Sequence, residues 1–177
     1  MRSLSDKGRI EEFMKAFGGR TRHAARVYFT GGSTAVMHGW RAATVDIDLR
    51  FVPENDELFR SLQDLKESLQ INVELASPPD FIPEVPGWEE RSLFIDRHGK
   101  IDFYHFDPYS QALAKIERGH EQDVADVMSM LSSGLVNKGR LAEMFQQIEP
   151  SLYRYPAIDP KKFRMSLETF LNTTQEK

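Results

Sequence analysis

Residues 27–51 read VYFTGGSTAVMHGWRAATVDIDLRF. A short β-branched and aromatic run (Val27 to Thr30) leads into a Gly31-Gly32-Ser33 turn. A helix-length segment with Ala35, Val36 and Met37 follows, then a second strand from Thr44 to Val52 carrying Asp46 and Asp48. Side chains alternate along a strand, so these two aspartates point the same way, about 7 Å apart along the backbone. Two carboxylates side by side repel and raise each other's pKa unless positive charge lies between them. Among the apolar residues Val45, Ile47, Leu49 and Phe51, the natural occupant is a divalent cation. Mg²⁺ takes one or two carboxylates and completes its shell with phosphate oxygens and water. A glycine turn opening a helix offers backbone N–H groups to phosphate. A phosphate cradle followed by metal-binding acids is the donor set that nucleotidyl transfer requires.

Working outward, Ile10, Phe13, Met14 and Phe17 form one apolar stripe, which predicts a helix over 5–17 stopped by Gly18-Gly19. From Phe13 to Val45 there is no Asp or Glu, while Lys15, Arg20, Arg22, Arg26 and Arg41 are basic. Such a block beside a phosphate turn suggests a polyanionic ligand, or simply a basic surface balanced elsewhere. Thr21 to Arg26 reads as the start of a second short helix. Downstream, Asn55 caps a helix from Asp56 to Leu69, Ile71 to Leu75 alternates as a strand, and the proline-rich stretch Ser77 to Gly87 reads as a mobile connection across the active face. Arg91–Ile95 and Lys100–Phe106 form a hairpin about Asp96–Gly99. In its second strand Asp102, Tyr104 and Phe106 share one face, Ile101, Phe103 and His105 the other. Asp102 is either an exposed acid on an edge strand or a third metal-binding or base carboxylate. Helices then follow at Tyr109–Arg118, Glu121–Leu131, Lys138–Gln147 and Pro160–Leu171. The expected fold class is α+β, a mixed sheet flanked by helices with a C-terminal helical bundle. The expected division is an α/β core over 1–107 and a helical region over 108–177.

With 177 residues, 40% apolar and 28% charged, the chain has the composition of a soluble globular protein with a sizeable core. Its net charge of −4 argues against non-specific coating of nucleic acid, and the absence of cysteine excludes disulfides and thiolate metal sites. No run approaches the roughly 18 apolar residues of a membrane span, and the N-terminus lacks the apolar core of a signal peptide. The expected location is the cytoplasm, with no membrane partner.

Gly32-Ser33, twelve residues, then Asp46-Ile47-Asp48 between hydrophobics resembles the signature of the nucleotidyltransferase superfamily, the polymerase-β-like fold. Arg41 and Thr44 before the acids fit the R-x-x-T-x-D-x-D form of the AbiEii-type bacterial toxins and their relatives, to which the chain is most similar. Lys115-Ile-Glu-Arg118-Gly119 followed by Asp123-Val-Ala-Asp126 matches, in type and order, a weaker motif of that branch. The resemblance implies that Gly31, Gly32 and Ser33 hold the phosphates of an NTP such as ATP. It implies that Asp46 and Asp48 coordinate one or two Mg²⁺ (or Mn²⁺), and that Asp102 completes the second metal site or accepts the attacking hydroxyl's proton. Lys115 would contact the triphosphate, with Asp123 or Asp126 holding it or a substrate-contacting arginine in place. Arg41 would contact phosphate or pair with an acid of the Asp46 cluster. The implied reaction moves an NMP to RNA (a tRNA end) or to a protein side chain, by the toxin of a toxin–antitoxin pair with a cognate antitoxin as partner. Two other readings fit the residues: a catalytically silent member that binds nucleotide or RNA, and an unrelated α+β protein whose Asp46 and Asp48 are a surface pair.

Overall fold

The computed structural model describes residues 3–173. The chain divides into two compact units, one of residues 1–77 and 92–106, the other of 78–91 and 107–177.

The first unit begins with a two-residue strand β1 (Ser5–Asp6) and helix α1 (Lys7–Arg20). Asp6 caps α1 by accepting from the Arg9 N–H at 2.9 Å. The helix does not stop at Gly18-Gly19. Gly18 lies against the hairpin, where a Cβ would come 2.3 Å from the His98 carbonyl oxygen. That glycine is there for close approach, not as a stop. The expected helix over Thr21 to Arg26 is absent, because strand β2 (Ala25–Thr30) already starts within it.

Helix α2 (Gly31–Met37) follows directly, then the short β3 (Ala43–Thr44), β4 (Asp46–Val52), helix α3 (Asp56–Ser68) and β5 (Asn72–Leu75). Asn55 caps α3 as expected, accepting from the Leu58 N–H at 2.9 Å. After residues 78–91 the chain returns for the hairpin of β6 (Leu93–His98) and β7 (Ile101–His105). The hairpin turns at Gly99-Lys100, later than the sequence suggests, since Gly99 (φ +61°) is the residue suited to a left-handed conformation.

The sheet order is β5-β4-β2-β7-β6, with β2 central. β2 runs antiparallel to β4 and parallel to β7, β4 is parallel to β5, and β6 is antiparallel to β7, so the sheet is mixed. Alternation sends Val27, Phe29, Ile47, Leu49, Phe51, Val73, Ile101 and Phe103 to one face. There they join Ile10, Phe13, Met14 and Phe17 of α1 and Leu58, Leu62 and Leu65 of α3 in one core. Truncating a fully buried ring such as Phe29 typically costs about 3–5 kcal/mol. The opposite face carries the polar residues of the same strands, Asp46 and Asp48 among them.

The second unit holds a 3-10 turn (Pro78–Asp80), the short α4 (Trp88–Arg91), and helices α5 (Pro108–Arg118), α6 (Glu121–Ser132), α7 (Lys138–Ile148) and α8 (Pro160–Thr173). The proline-rich stretch is not a bare connection. Ile82, Val85 and Trp88 are buried, and the Pro79 carbonyl accepts from the Tyr155 hydroxyl at 3.1 Å. Asp107, fully buried, caps α5 by accepting from the N–H groups of Tyr109 and Ser110 at 3.0 and 3.3 Å, and it takes Arg91 at 2.8 Å. Phe145 and Phe163 meet edge to face at 5.0 Å between α7 and α8.

Candidate functional site

Where β2 ends and β4 begins, the register pairs Thr30 with Asp48. Gly31 adopts φ +61°, and a Cβ built on it would lie 2.7 Å from Asp48 Oδ2. The carboxylate therefore rests against the α-carbon of the glycine turn, in space that any other residue would fill. One residue on, a Cβ at Gly32 would meet the Thr44 hydroxyl at 2.3 Å and Arg41 Nη1 at 3.3 Å. Thr44 is itself held, its Oγ1 donating to the Asp46 carbonyl at 3.0 Å. Asp46 and Asp48 alternate with the fully buried Ile47 and Leu49 and are half-buried themselves. So the structure brings Gly31, Gly32, Arg41, Asp46 and Asp48 to one end of the sheet.

Ser33 is there too, but in another capacity. Its side chain is fully buried, and its hydroxyl donates to the Thr30 carbonyl at 2.7 Å with the Asp48 carbonyl at 3.2 Å. The hydroxyl ties the turn to both strands, and a phosphate could be met only by backbone.

Asp102 is not brought to this end. It shares the polar face, but it pairs across β2 with Arg26, whereas Asp48 pairs with Thr30. Four residues along β2 correspond to about 13 Å, and β7 lies on the side of β2 away from β4. Arg97 takes its carboxylate in a two-pronged pair, Nε to Oδ1 at 2.6 Å and Nη2 to Oδ2 at 3.0 Å. Those hydrogen bonds, helped by the charges of Arg97 and Arg26, hold the Asp102 carboxyl below its ordinary pKa despite partial burial. At the end where a third acid would be needed stands Phe106, the residue just after β7, whose N–H donates to the Phe29 carbonyl. The acid that the register does set beside Asp48 is the exposed Glu74 of β5. Sequence reading missed it because a parallel pairing between distant strands leaves no local signal. Among the described residues no three His, Cys, Asp or Glu side chains are grouped to hold a metal by themselves. A cation here would draw on Asp46 and Asp48, the rest of its shell coming from water or substrate oxygens, which suits Mg²⁺.

The basic block also splits. Arg20 faces Asp64 at 3.8 Å, and Arg26 lies over the Tyr104 ring at 5.9 Å, near the start of β2. Arg41 stands beyond the other end of that strand, whose far residue Thr30 is four residues from Arg26, about 13 Å by its rise.

In the helical unit Lys115, Asp123 and Asp126 come together, each almost wholly buried. Lys115 Nζ donates to Asp126 Oδ2 at 2.7 Å and lies 3.7 Å from Asp123 Oδ1. Arg118 grips Asp123 through Nε at 2.8 Å and through Nη2. Burial pushes the Asp123 carboxyl up, but the Arg118 hydrogen bonds and the charges of Arg118 and Lys115 outweigh it, and its pKa falls below the ordinary value. Two cations and two anions cancel.

Against this geometry, the family described as nucleotidyltransferase of unknown function (DUF6036) matches residues 8–173. The chain belongs to that nucleotidyltransferase family. No curated protein and no solved structure matches the chain. The match runs through the glycine turn, the paired acids and the Lys115 cluster alike. Among the described residues no helix is long and apolar enough to cross a membrane.

A feature of this family member that sequence reading did not single out is a stack of rings behind the turn. His38 lies on His105 at 4.3 Å and on Trp40 at 4.7 Å. Burial, with a smaller push from His38, lowers the His105 pKa to about 3. Burial lowers that of His38 as well.

Proposed function

We propose that this chain is a Mg²⁺-dependent nucleotidyltransferase that moves an NMP from an NTP to a macromolecular hydroxyl, at a tRNA end or on a protein side chain. In this reading it acts as an AbiEii-like toxin restrained by a cognate antitoxin. One observation carries the reading: Asp48 Oδ2 lies against Gly31 while Asp46 shares its face, so glycine turn and paired acids meet at one point. Asp46 and Asp48 would hold the cation. When bound, it supplies neutralising charge to the attacking and leaving oxygens at the α-phosphorus. The bare α-carbons of Gly31 and Gly32 let Asp48 and Thr44 close on the turn, and a phosphate would be met by the backbone of that turn. Arg41, beside Gly32, is placed to donate to phosphate oxygens through a planar fork. Lys115, paired with Asp126 and close to Asp123, acts as a structural charge on this reading.

The test is transfer of label from α-³²P-NTP to RNA or protein in Mg²⁺. Activity in the wild type and its loss in Asp48→Asn, with circular dichroism unchanged, would support the proposal. A specific observation favours a second reading, nucleotide binding without turnover: Arg97 occupies the one acid of β7 that was expected to complete the site. NTP binding with no transferred label, unaltered in Asp48→Asn, would select it.

A further inference from the structure

On the helix-bearing side of the sheet, away from the paired acids, α1, Met37 of α2 and the β6–β7 hairpin enclose a half-open cavity of about 440 Å³. That volume lies within the range of about 300–1,000 Å³ common to small-molecule sites. Its lining has three parts. Met14, Met37 and Ile95 give an apolar surface in which two flexible thioethers suit the face of a ring. His105 supplies a polar atom of fixed character. The Thr34 hydroxyl donates to the Phe29 carbonyl at 3.2 Å, so its lone pair accepts from His105 Nδ1–H at 3.1 Å. Burial lowers the His105 pKa to about 3, so the imidazole is neutral with Nε2 as an acceptor, and stacking on His38 at 4.3 Å fixes its plane.

The third part is Asp96. β6 carries a bulge at Ile95, between the pairs Phe94–Tyr104 and Asp96–Phe103. Phe103 points into the core, so the extra residue re-aims Asp96 to the helix-bearing face and the cavity. There its carboxylate lies 3.2 Å from His98 Nε2. Lys7 and Lys15 at the rim oppose Glu11 and Asp96, so the formal charges of these four residues cancel.

An apolar pair of thioethers, a fixed neutral acceptor and a re-aimed carboxylate together ask for a flat, uncharged ring that bears N–H donors. We infer that this cavity binds a nucleobase, with an exocyclic amino group donating to His105 Nε2 and to the Asp96 carboxylate, and the ring lying on Met14 and Met37. The inference does not rest on the function proposed for Asp46 and Asp48. The base has two sources, a free nucleoside or an unpaired residue of an RNA strand, and in the second case Lys7 and Lys15 meet the flanking phosphates.

The experiment uses the full chain labelled at methionine methyl groups, in EDTA, titrated separately with adenosine, cytidine and uridine. Ring currents should shift the Met14 and Met37 methyl resonances saturably at millimolar adenosine or cytidine, and uridine, lacking the amino group, should bind more weakly. His105→Phe should abolish the shifts. Should that variant not fold, Asp96→Asn, at an exposed side chain, should weaken adenosine by about fivefold, the worth of a single hydrogen bond. The shifts should persist in Asp46→Asn/Asp48→Asn, which separates this site from the one proposed for transfer. A short single-stranded oligonucleotide weakened by Lys7→Glu/Lys15→Glu identifies a strand as the source; equal binding of oligonucleotide and nucleoside, indifferent to those lysines, identifies the free nucleoside. Absence of saturable shifts, their survival in His105→Phe and Asp96→Asn, or their loss in Asp46→Asn/Asp48→Asn would each overturn the inference.

Discussion

Asp48 and Asp126 are the same residue type in opposite situations. Asp126 lies at 2% exposure with Lys115 on one oxygen at 2.7 Å, and its neighbour Asp123 is held by Arg118. Asp48 is half-buried against a glycine, with Asp46 for a same-face neighbour. The helical cluster already contains its counter-charge, so it has the character of a structural joint. The sheet-end pair sets two acids on one face beside the glycine turn, an arrangement that on the proposed function takes a cation supplied from outside. On the proposed function, burial alone does not mark a working acid; the source of its compensating charge does.

The largest effect that would sharpen this contrast is on stability. Lys115→Met leaves Asp126 buried beside an uncharged side chain, and loss of one partner of a buried pair costs about 3–5 kcal/mol. Urea denaturation should show that loss. Lys115→Met with Asp126→Leu should recover much of it, because the pair leaves together. A loss confined to transfer, with stability intact, would move Lys115 from the structural side of the comparison to the chemical side. Asp48→Asn should do the reverse. Transfer should fall by more than about 100-fold, given that even outer-shell partners of metal sites are worth about 10- to 100-fold. The melting temperature should hold or rise, since a like charge beside Asp46 is removed.

The sheet-end site was legible because its signals are local. The turn, the alternation Asp46-Ile47-Asp48 and the neighbouring Arg41 all lie within one hairpin-sized stretch, and β2 pairs directly with β4. Helices were legible for the same reason: a cap such as Asn55 and apolar stripes act within a few residues. What was not legible depends on register between distant strands. Nothing in KIDFYHF says which end of β2 Asp102 will meet, and the parallel pairing with Arg26 decides it. Glu74 and the bulge at Ile95 are hidden likewise. Gly18 shows the limit of local rules from the other side, for its role is set by His98, eighty residues away.

A smaller effect separates the buried histidine from the acids on pH. His105 stays neutral in the folded chain down to about pH 3 but takes a proton near its ordinary value of 6.5 when unfolded. Between those limits the unfolded state binds more protons, so stability falls as pH drops through the window. One such proton gives a slope of at most about 1.4 kcal/mol per pH unit. Denaturation midpoints measured across the window should decline less steeply in His105→Phe than in the wild type. Parallel slopes would show that His105 is not what titrates.

The smallest effect is expected at Asp102, and it bears most directly on the comparison. Its chemistry resembles that of Asp126, a carboxylate already taken by a cation, although Arg97 is two-thirds exposed and solvent screens the pair. The lowered pKa means that whatever stability the pair contributes is present above the ordinary carboxylate value and is lost as pH falls through the depressed one. Asp102→Asn keeps one hydrogen bond to Arg97 and should shift a denaturation midpoint barely measurably. Transfer by Asp102→Asn should equal that of the wild type. If Asp102→Asn were instead as inactive as Asp48→Asn, with melting unchanged, Asp102 would act with the sheet-end pair despite its place on β7 beside Arg26, and the position of the counter-charge would no longer tell the two kinds of acid apart.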